Sequence, residues 1–343
     1  MTLKPITVVF MGTPDFAVPP LKSLLSDPGF KILAVVTQPD KPSGRKMLLT
    51  KPPVKITAEE AGIPVLQPLK VKNNPEFLET FRNLNPDIAV TAAYGHILPS
   101  ELLNIPKFGF INIHASLLPA YRGASPIEEA LLKGDSKTGI TYIQMNEKMD
   151  EGDIISIHTL PISDTDTSIE LTDKLSLLAA KTIAGVLTAL INGELQPKAQ
   201  EHQKATYCSK IDKKDGLITP LQQTSEQILN MIRAFTPWPS AYLSFKGKNI
   251  KILGAEKTTP PPNTEPSRLP KVGGSPLADL DNPFLTRDGN LYLKTSNGLI
   301  KINKLQLEGK STMLAQDFLR GHANFFNTSE QSEISRNKST NPG

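Results

Sequence analysis

Asn112 and His114 stand on alternate positions at the end of a short apolar run, Phe110 to Ile113, with Ser116 two residues further on, in a chain that has only five histidines. A strand places alternate residues on one face, so the amide and the imidazole share that face. Past the next strand-like segment comes Met149-Asp150-Glu151-Gly152-Asp153. If the two strands are neighbours in a sheet, Asp150 reaches His114. An imidazole that titrates near neutrality, an amide donor one pleat away and a carboxylate to orient or charge the ring make a set suited to acyl transfer. The amide stabilises the oxyanion of a tetrahedral intermediate, and histidine and aspartate manage the proton of an attacking amine. When an amine attacks directly, no serine or cysteine nucleophile is needed. Spacing alone leaves a second reading open, in which the triplet is a chance occurrence, His114 is a structural hydrogen bonder and Asp150 makes a turn.

The elements around this cluster read as an α/β fold. Ile6 to Met11, Ile32 to Thr37, Ile88 to Ala92, Phe110 to Ile113 and Ile140 to Met145 are strand-like, and the first four are nearly continuous in apolar residues, as strands covered on both faces must be. Phe16 to Leu25, Val54 to Ala61, Pro75 to Leu84 and Pro126 to Lys133 alternate with them at helical spacing, and Ser168 to Ile191 is a longer helical pattern. The expectation is a Rossmann-like, mostly parallel sheet with helices on both faces, whose ligands collect beyond the C-terminal strand ends. The first turn, Gly12-Thr13-Pro14-Asp15, lacks the further glycines of G-x-G-x-x-G, which disfavours a nicotinamide dehydrogenase. We read residues 1–193 as the catalytic domain and 194–207 as a linker. Residues 208–326 follow as a small OB-like β-barrel with one preceding helix, Ser225 to Ala234, and 327–343 as a disordered polar tail. A Pro-rich interval from Thr258 to Pro276 reads as an extended surface loop.

With 343 residues the chain can bury more than one core. No apolar run approaches the roughly 20 residues that span a bilayer. Met1 to Pro5 lacks the basic region and cleavage site of a signal peptide. The single cysteine, Cys208, excludes a disulfide framework and any cysteine-clustered metal site. A soluble cytoplasmic protein with no metal is expected. Residues 1–207 carry 20 Lys and Arg against 22 Asp and Glu, whereas residues 208–326 carry 16 against 10, so the positive excess sits in the second domain. A basic module beside a near-neutral one suits a polyanionic partner, and equally an ordinary solvated surface.

The wider pattern is more specific. Ser116-Leu117-Leu118-Pro119, Tyr121-Arg122-Gly123, Pro126-Ile127, Gly134, Thr138-Gly139, Thr141 and Asp150-x-Gly152 closely resemble the signature of formyltransferases that use 10-formyltetrahydrofolate. The resemblance implies that Asn112, His114 and Asp150 are catalytic and that Ser116, Leu117, Leu118 and Pro119 help bind the folate. Val9 to Ala17, Thr37 to Lys46, Ala93-Tyr94-Gly95 and Arg233-Ala234-Phe235-x-Pro237-Trp238-Pro239 are similar to the branch of that family that formylates methionyl initiator tRNA. This likeness implies that the loop holding Arg45 and Lys46 approaches the tRNA acceptor end, with the basic second domain as a further contact surface. Translation would then start with formylmethionine. A monomer is expected. The rival within the family is an enzyme acting on an amino sugar nucleotide, from which the first turn and the Arg45 loop differ.

Overall fold

Val8, Val9, Phe10 and Met11 are all fully buried in β1 (Ile6–Gly12), so the strand is covered on both faces, as its lack of alternation requires. The computed structural model describes residues 4–43, 48–258, 282–322 and 325–326. Arg45, Lys46, residues 259–276 of the Pro-rich interval and the tail at 327–343 lie outside the described residues. The chain divides into two compact units, Met1–Ala130 with Asp135–Lys210, and Leu131–Gly134 with Ile211–Gly343.

The first unit is built on a seven-stranded sheet. After β1 come β2 (Phe30–Val36), β3 (Val65–Leu66), β4 (Ile88–Ala92), β5 (Phe110–His114), β6 (Lys137–Gln144) and β7 (Asp153–Pro161). Their order across the sheet is β7-β6-β5-β4-β1-β2-β3. The pairs from β3 to β5 are parallel, whereas β6 runs antiparallel to β5 and β7 antiparallel to β6. Helices α1 (Val18–Ser26), α2 (Pro53–Glu60), α3 (Pro75–Leu84) and α4 (Pro126–Lys133) lie between them in the chain and α5 (Ser168–Ile191) follows β7, all within a residue or two of the expected spans. A short hairpin, Lys41–Ser43 with Leu48–Thr50, flanks residues 44–47.

By length and composition α5 is long and apolar enough to cross a bilayer, although Glu170, Asp173, Lys174 and Lys181 keep it from being an unbroken apolar run. Its stripe Leu171, Leu175, Ala179, Ile183 and Leu187 is fully buried, at the i, i+4 spacing of a core-facing helix. Ser176 Oγ donates to Phe16 O at 2.7 Å, and Ser23 Oγ of α1 donates to Ala180 O at 2.7 Å, so the helix is fastened to the unit by polar bonds as well.

One charged contact ties the sheet's middle strands. Asp87 precedes β4, and its Oδ2 accepts from Thr7 N at 2.8 Å and Thr7 Oγ1 at 2.6 Å. These bonds from Thr7 hold the carboxyl below its ordinary range. A depressed pKa means stability that is complete above the ordinary carboxylate value of about 3.9 and is lost as pH falls through the folded value. Unfolding measured against pH should therefore show wild type more stable than Asp87→Asn by a constant margin above about pH 5, shrinking below about pH 4.

In the second unit α6 (Ser225–Ala234) starts at a capping box, with Thr224 Oγ1 accepting from Gln227 N at 3.2 Å and Gln227 Oε1 from Thr224 N at 2.8 Å. Strands β8 (Ala241–Phe245), β9 (Lys248–Lys257), β10 (Phe284–Arg287), β11 (Asn290–Thr295) and β12 (Gly298–Leu307) form an antiparallel sheet in the order β8-β9-β12-β11-β10. Leu291, Leu293, Ile300, Ile302, Leu305 and Leu307 line its buried side. Lys294, Lys301 and Lys304 stand among the residues that are not buried, which is where this unit's excess charge becomes visible.

Candidate active site

Strand β5 carries Asn112 and His114 on one face, and the chain turns at once into the 116–120 loop, which is fastened to β6. Thr141 Oγ1 donates to Ser116 O at 2.6 Å and accepts from Leu118 N at 3.1 Å, while Ser116 Oγ donates to Ala120 O at 2.6 Å. Ser116 is fully buried and Leu118 nearly so, leaving Leu117 and Pro119 partly exposed. The Ser116 hydroxyl is thus spent inside the loop rather than offered as a nucleophile. Cys208 is no better placed for that role, because burial pushes its thiol pKa up.

Asp150 joins the pair by a route that differs from the expected one. Strands β5 and β6 are neighbours but antiparallel, with Ile111 opposite Gln144 and His114 opposite Thr141. The chain therefore leaves β6 at the end away from His114, and residues 145–152, before β7, curl back over the face of β5. The carboxylate arrives with Asp150 in the left-handed region at φ 54°. Its Oδ1 lies 3.4 Å from Asn112 Nδ2 and 3.5 Å from His114 Nδ1, and its Oδ2 accepts from Gly123 N at 2.9 Å. Both side chains are largely shielded, at 6% exposure for His114 and 13% for Asp150.

The hydrogen-bond partners assign roles to the atoms. His114 Nε2 faces Tyr121 O at 2.9 Å, an acceptor only, so Nε2 carries a hydrogen. Nδ1 faces the carboxylate, with Asp150 Oδ1 3.5 Å away. Thr91 Oγ1 donates to Asn112 Oδ1 at 2.8 Å, which turns the amide NH2 toward Asp150 and the open side of the strand. One Nδ2 hydrogen makes only the long bond to Asp150, leaving donor capacity for an oxygen that gains charge. Separations of 3.4 to 3.5 Å are longer than ordinary hydrogen bonds, which does not remove the three groups as candidates for proton transfer.

A family model described as formyl transferase matches residues 4–187, and one described as formyl transferase, C-terminal domain, matches residues 210–323. The chain is 46% identical over 316 residues to a methionyl-tRNA formyltransferase from Geobacillus sp. (strain WCH70), covering 92% of this chain and 94% of that one. It is 43% identical over 314 residues to the methionyl-tRNA formyltransferase of Bacillus subtilis (strain 168), again covering 92% and 94%. The chain belongs to the methionyl-tRNA formyltransferase family. Among solved structures it resembles an N-formyltransferase from Helicobacter canadensis in complex with folinic acid and dTDP-3-aminofucose, with a TM-score of 0.61, 20% identity, and coverage of 87% of this chain and 98% of that one. It also resembles HypX from Aquifex aeolicus in complex with tetrahydrofolic acid, with a TM-score of 0.57, 15% identity and coverage of 94% and 48%. At those identities the two structures speak for the fold alone.

Within this member of the family, Asn112, His114 and Asp150 come together as expected, and the 116–119 segment begins directly behind them. His96 is exposed and lies against Tyr94, with ring centroids 5.3 Å apart. Burial, with no hydrogen-bond partner for its hydroxyl among the described residues, pushes the Tyr94 pKa up to about 12. Sequence reasoning missed Thr91, which sits inside an apolar strand where only its hydroxyl betrays a function. Thr91→Val keeps the shape and frees the Asn112 amide. It should cost about 1 kcal/mol of stability and lower turnover about tenfold. Denaturant unfolding and steady-state kinetics at saturating substrates check the two effects.

Proposed function

We propose that this chain transfers the formyl group of 10-formyltetrahydrofolate to the α-amino group of methionine carried by initiator tRNA. The observation that carries the reading is the likeness to methionyl-tRNA formyltransferases across both units, at 46% identity over 92% of the chain. The geometry supports it through the site it offers an attacking amine. The neutral amine attacks the formyl carbon, and Asn112 Nδ2 donates to the formyl oxygen as it becomes an oxyanion. His114, tuned by Asp150, assists the proton's passage from the amine nitrogen to the folate N10 as the carbon–N10 bond breaks. The products are the formylated amine and tetrahydrofolate, so atoms and charge balance without a further reactant. Ser116, Leu117, Leu118 and Pro119 are the residues we assign to the folate.

For tRNA we assign Arg45 and Lys46 to the acceptor end and residues 208–326 to a second contact surface. We also assign the protein to the cytoplasm, where initiator tRNA is charged. Replacing Arg45 and Lys46 together by alanine should raise KM for charged tRNA while leaving the donor KM unchanged. The slope of tRNA affinity against salt should fall by roughly two, about one for each phosphate that is no longer neutralised. The reading as a whole is tested with a formyl-labelled donor and a panel of acceptors: charged initiator tRNA, charged elongator tRNA and an amino sugar nucleotide. Label on the initiator is the expected result. Label on the sugar alone, or on no acceptor, would refute it.

A further inference from the structure

We infer that Gln200 is a positioning residue of the active site, acting on Asp150 through the backbone of the turn that carries it. The inference rests on the proposed role of Asp150 in tuning His114. Gln200 lies in the polar stretch after α5, and it is 5% exposed. Its Nε2 donates to Asp150 O at 2.8 Å and to Gly152 O at 2.7 Å. Its Oε1 accepts from Arg122 Nε at 3.2 Å and Arg122 Nη2 at 2.8 Å. Both amide hydrogens and the carbonyl are thereby used, in a place where an unmet polar atom would be destabilising.

These bonds fix a distance that neither partner fixes alone. Arg122 is 1% exposed and stands between two backbone contacts that frame the His114–Asp150 pair. On one side Tyr121 O faces His114 Nε2 at 2.9 Å, and on the other Gly123 N donates to Asp150 Oδ2 at 2.9 Å. Gln200 ties that 121–123 strip to both ends of the Asp150–Gly152 turn. The tie also restrains the peptide of Asp150, whose left-handed backbone at φ 54° is uncommon for a residue with a side chain. Arg122 adds a longer ion pair, Nη1 to Glu151 Oε1 at 3.6 Å, beside the same turn. Gln200 bonds to backbone and guanidinium rather than to the imidazole or the carboxylate, so its effect is indirect, and its two bonds to the Asp150–Gly152 turn direct it at Asp150.

Gln200→Glu preserves length and the contact with Arg122 but turns a carboxylate oxygen toward two carbonyls. Gln200→Met preserves length and removes all polarity, and it decides the matter should the first variant fold poorly. Each is measured alone and combined with Asp150→Asn, using 10-formyltetrahydrofolate and methionyl initiator tRNA, with rates normalised to the folded fraction by donor-binding stoichiometry. The expected result is a kcat lowered about 10- to 100-fold by either single change. The donor KM should stay within about twofold, and little further loss should appear when Asp150 is already asparagine. An unchanged kcat in the single variants, or losses that multiply fully with that of Asp150→Asn, would overturn the inference while leaving the role of Asp150 intact. Near wild-type turnover of Asp150→Asn itself would overturn both.

Discussion

Asp150→Asn should lower kcat about a thousandfold, within the range for loss of positioned acid–base chemistry, while the donor KM moves only a few-fold. The reason lies in the three contacts of the carboxylate. One oxygen is committed to Gly123 N at 2.9 Å, so an asparagine must keep its carbonyl there. Its NH2 then replaces the oxygen that faces Asn112 Nδ2 at 3.4 Å and His114 Nδ1 at 3.5 Å. Two donors now oppose each other at Asn112, and His114 Nδ1 faces an amide NH2 instead of a carboxylate oxygen. The shape of the turn survives, so unfolding should change little. A loss that falls on kcat rather than on substrate binding marks an interaction made mainly in the transition state. Steady-state kinetics with each substrate varied in turn reads the split, and a kcat within about tenfold of wild type would remove Asp150 from the chemistry.

Gly152→Ala should be among the most damaging of the small substitutions. An added Cβ would stand 1.9 Å from Gln144 O and 2.9 Å from Gln144 C, both backbone atoms at the end of β6. A flexible side chain could swing away from such a contact, but strand backbone cannot, so the turn itself must move. Overpacking of this kind costs about 3 kcal/mol or more. For a unit of this size that corresponds to a melting temperature lower by roughly 6 to 12 °C. Because Gly152 O also accepts from Gln200 Nε2 at 2.7 Å, the displacement reaches Asp150 and should depress turnover in whatever protein remains folded. Thermal unfolding and kcat measured on the same preparation test both halves. A variant that keeps both would show the turn to be far more pliable than its contacts allow.

Legibility in the sequence followed physical cause. The strands that hold the site announced themselves because burial on both faces demands unbroken apolar residues, as in Ile88–Ala92, where every residue is buried. Strand β7 gave no such signal. It is an edge strand with exposed and covered residues interleaved, and Ile157 is 45% exposed. Asn112 and His114 were readable from their alternation, and Asp150 from its place in a known signature, yet the path of Asp150 to the site was not. Whether β6 runs parallel or antiparallel to β5 leaves no trace in hydrophobic period, so the turn back over β5 had to be seen. Gln200 was hidden for a different reason. A glutamine whose amide bridges two carbonyls and a guanidinium has no characteristic spacing, and its neighbours in 194–207 are polar. That stretch pairs with the first unit through Lys198 and Ile154, which bond reciprocally at 2.7 and 2.8 Å, and through Tyr207–Cys208 alongside Arg122–Gly123.

The most direct test of the proposed chemistry is a single-turnover measurement of formyl transfer from labelled 10-formyltetrahydrofolate to methionyl initiator tRNA, made with both substrates saturating, for wild type and His114→Ala. The expected result is transfer of label to the methionine α-nitrogen by wild type, slowed by about two to four orders of magnitude in His114→Ala, with donor binding reduced only modestly. Transfer by His114→Ala at near the wild-type rate would contradict the assignment of the proton-handling role to this histidine.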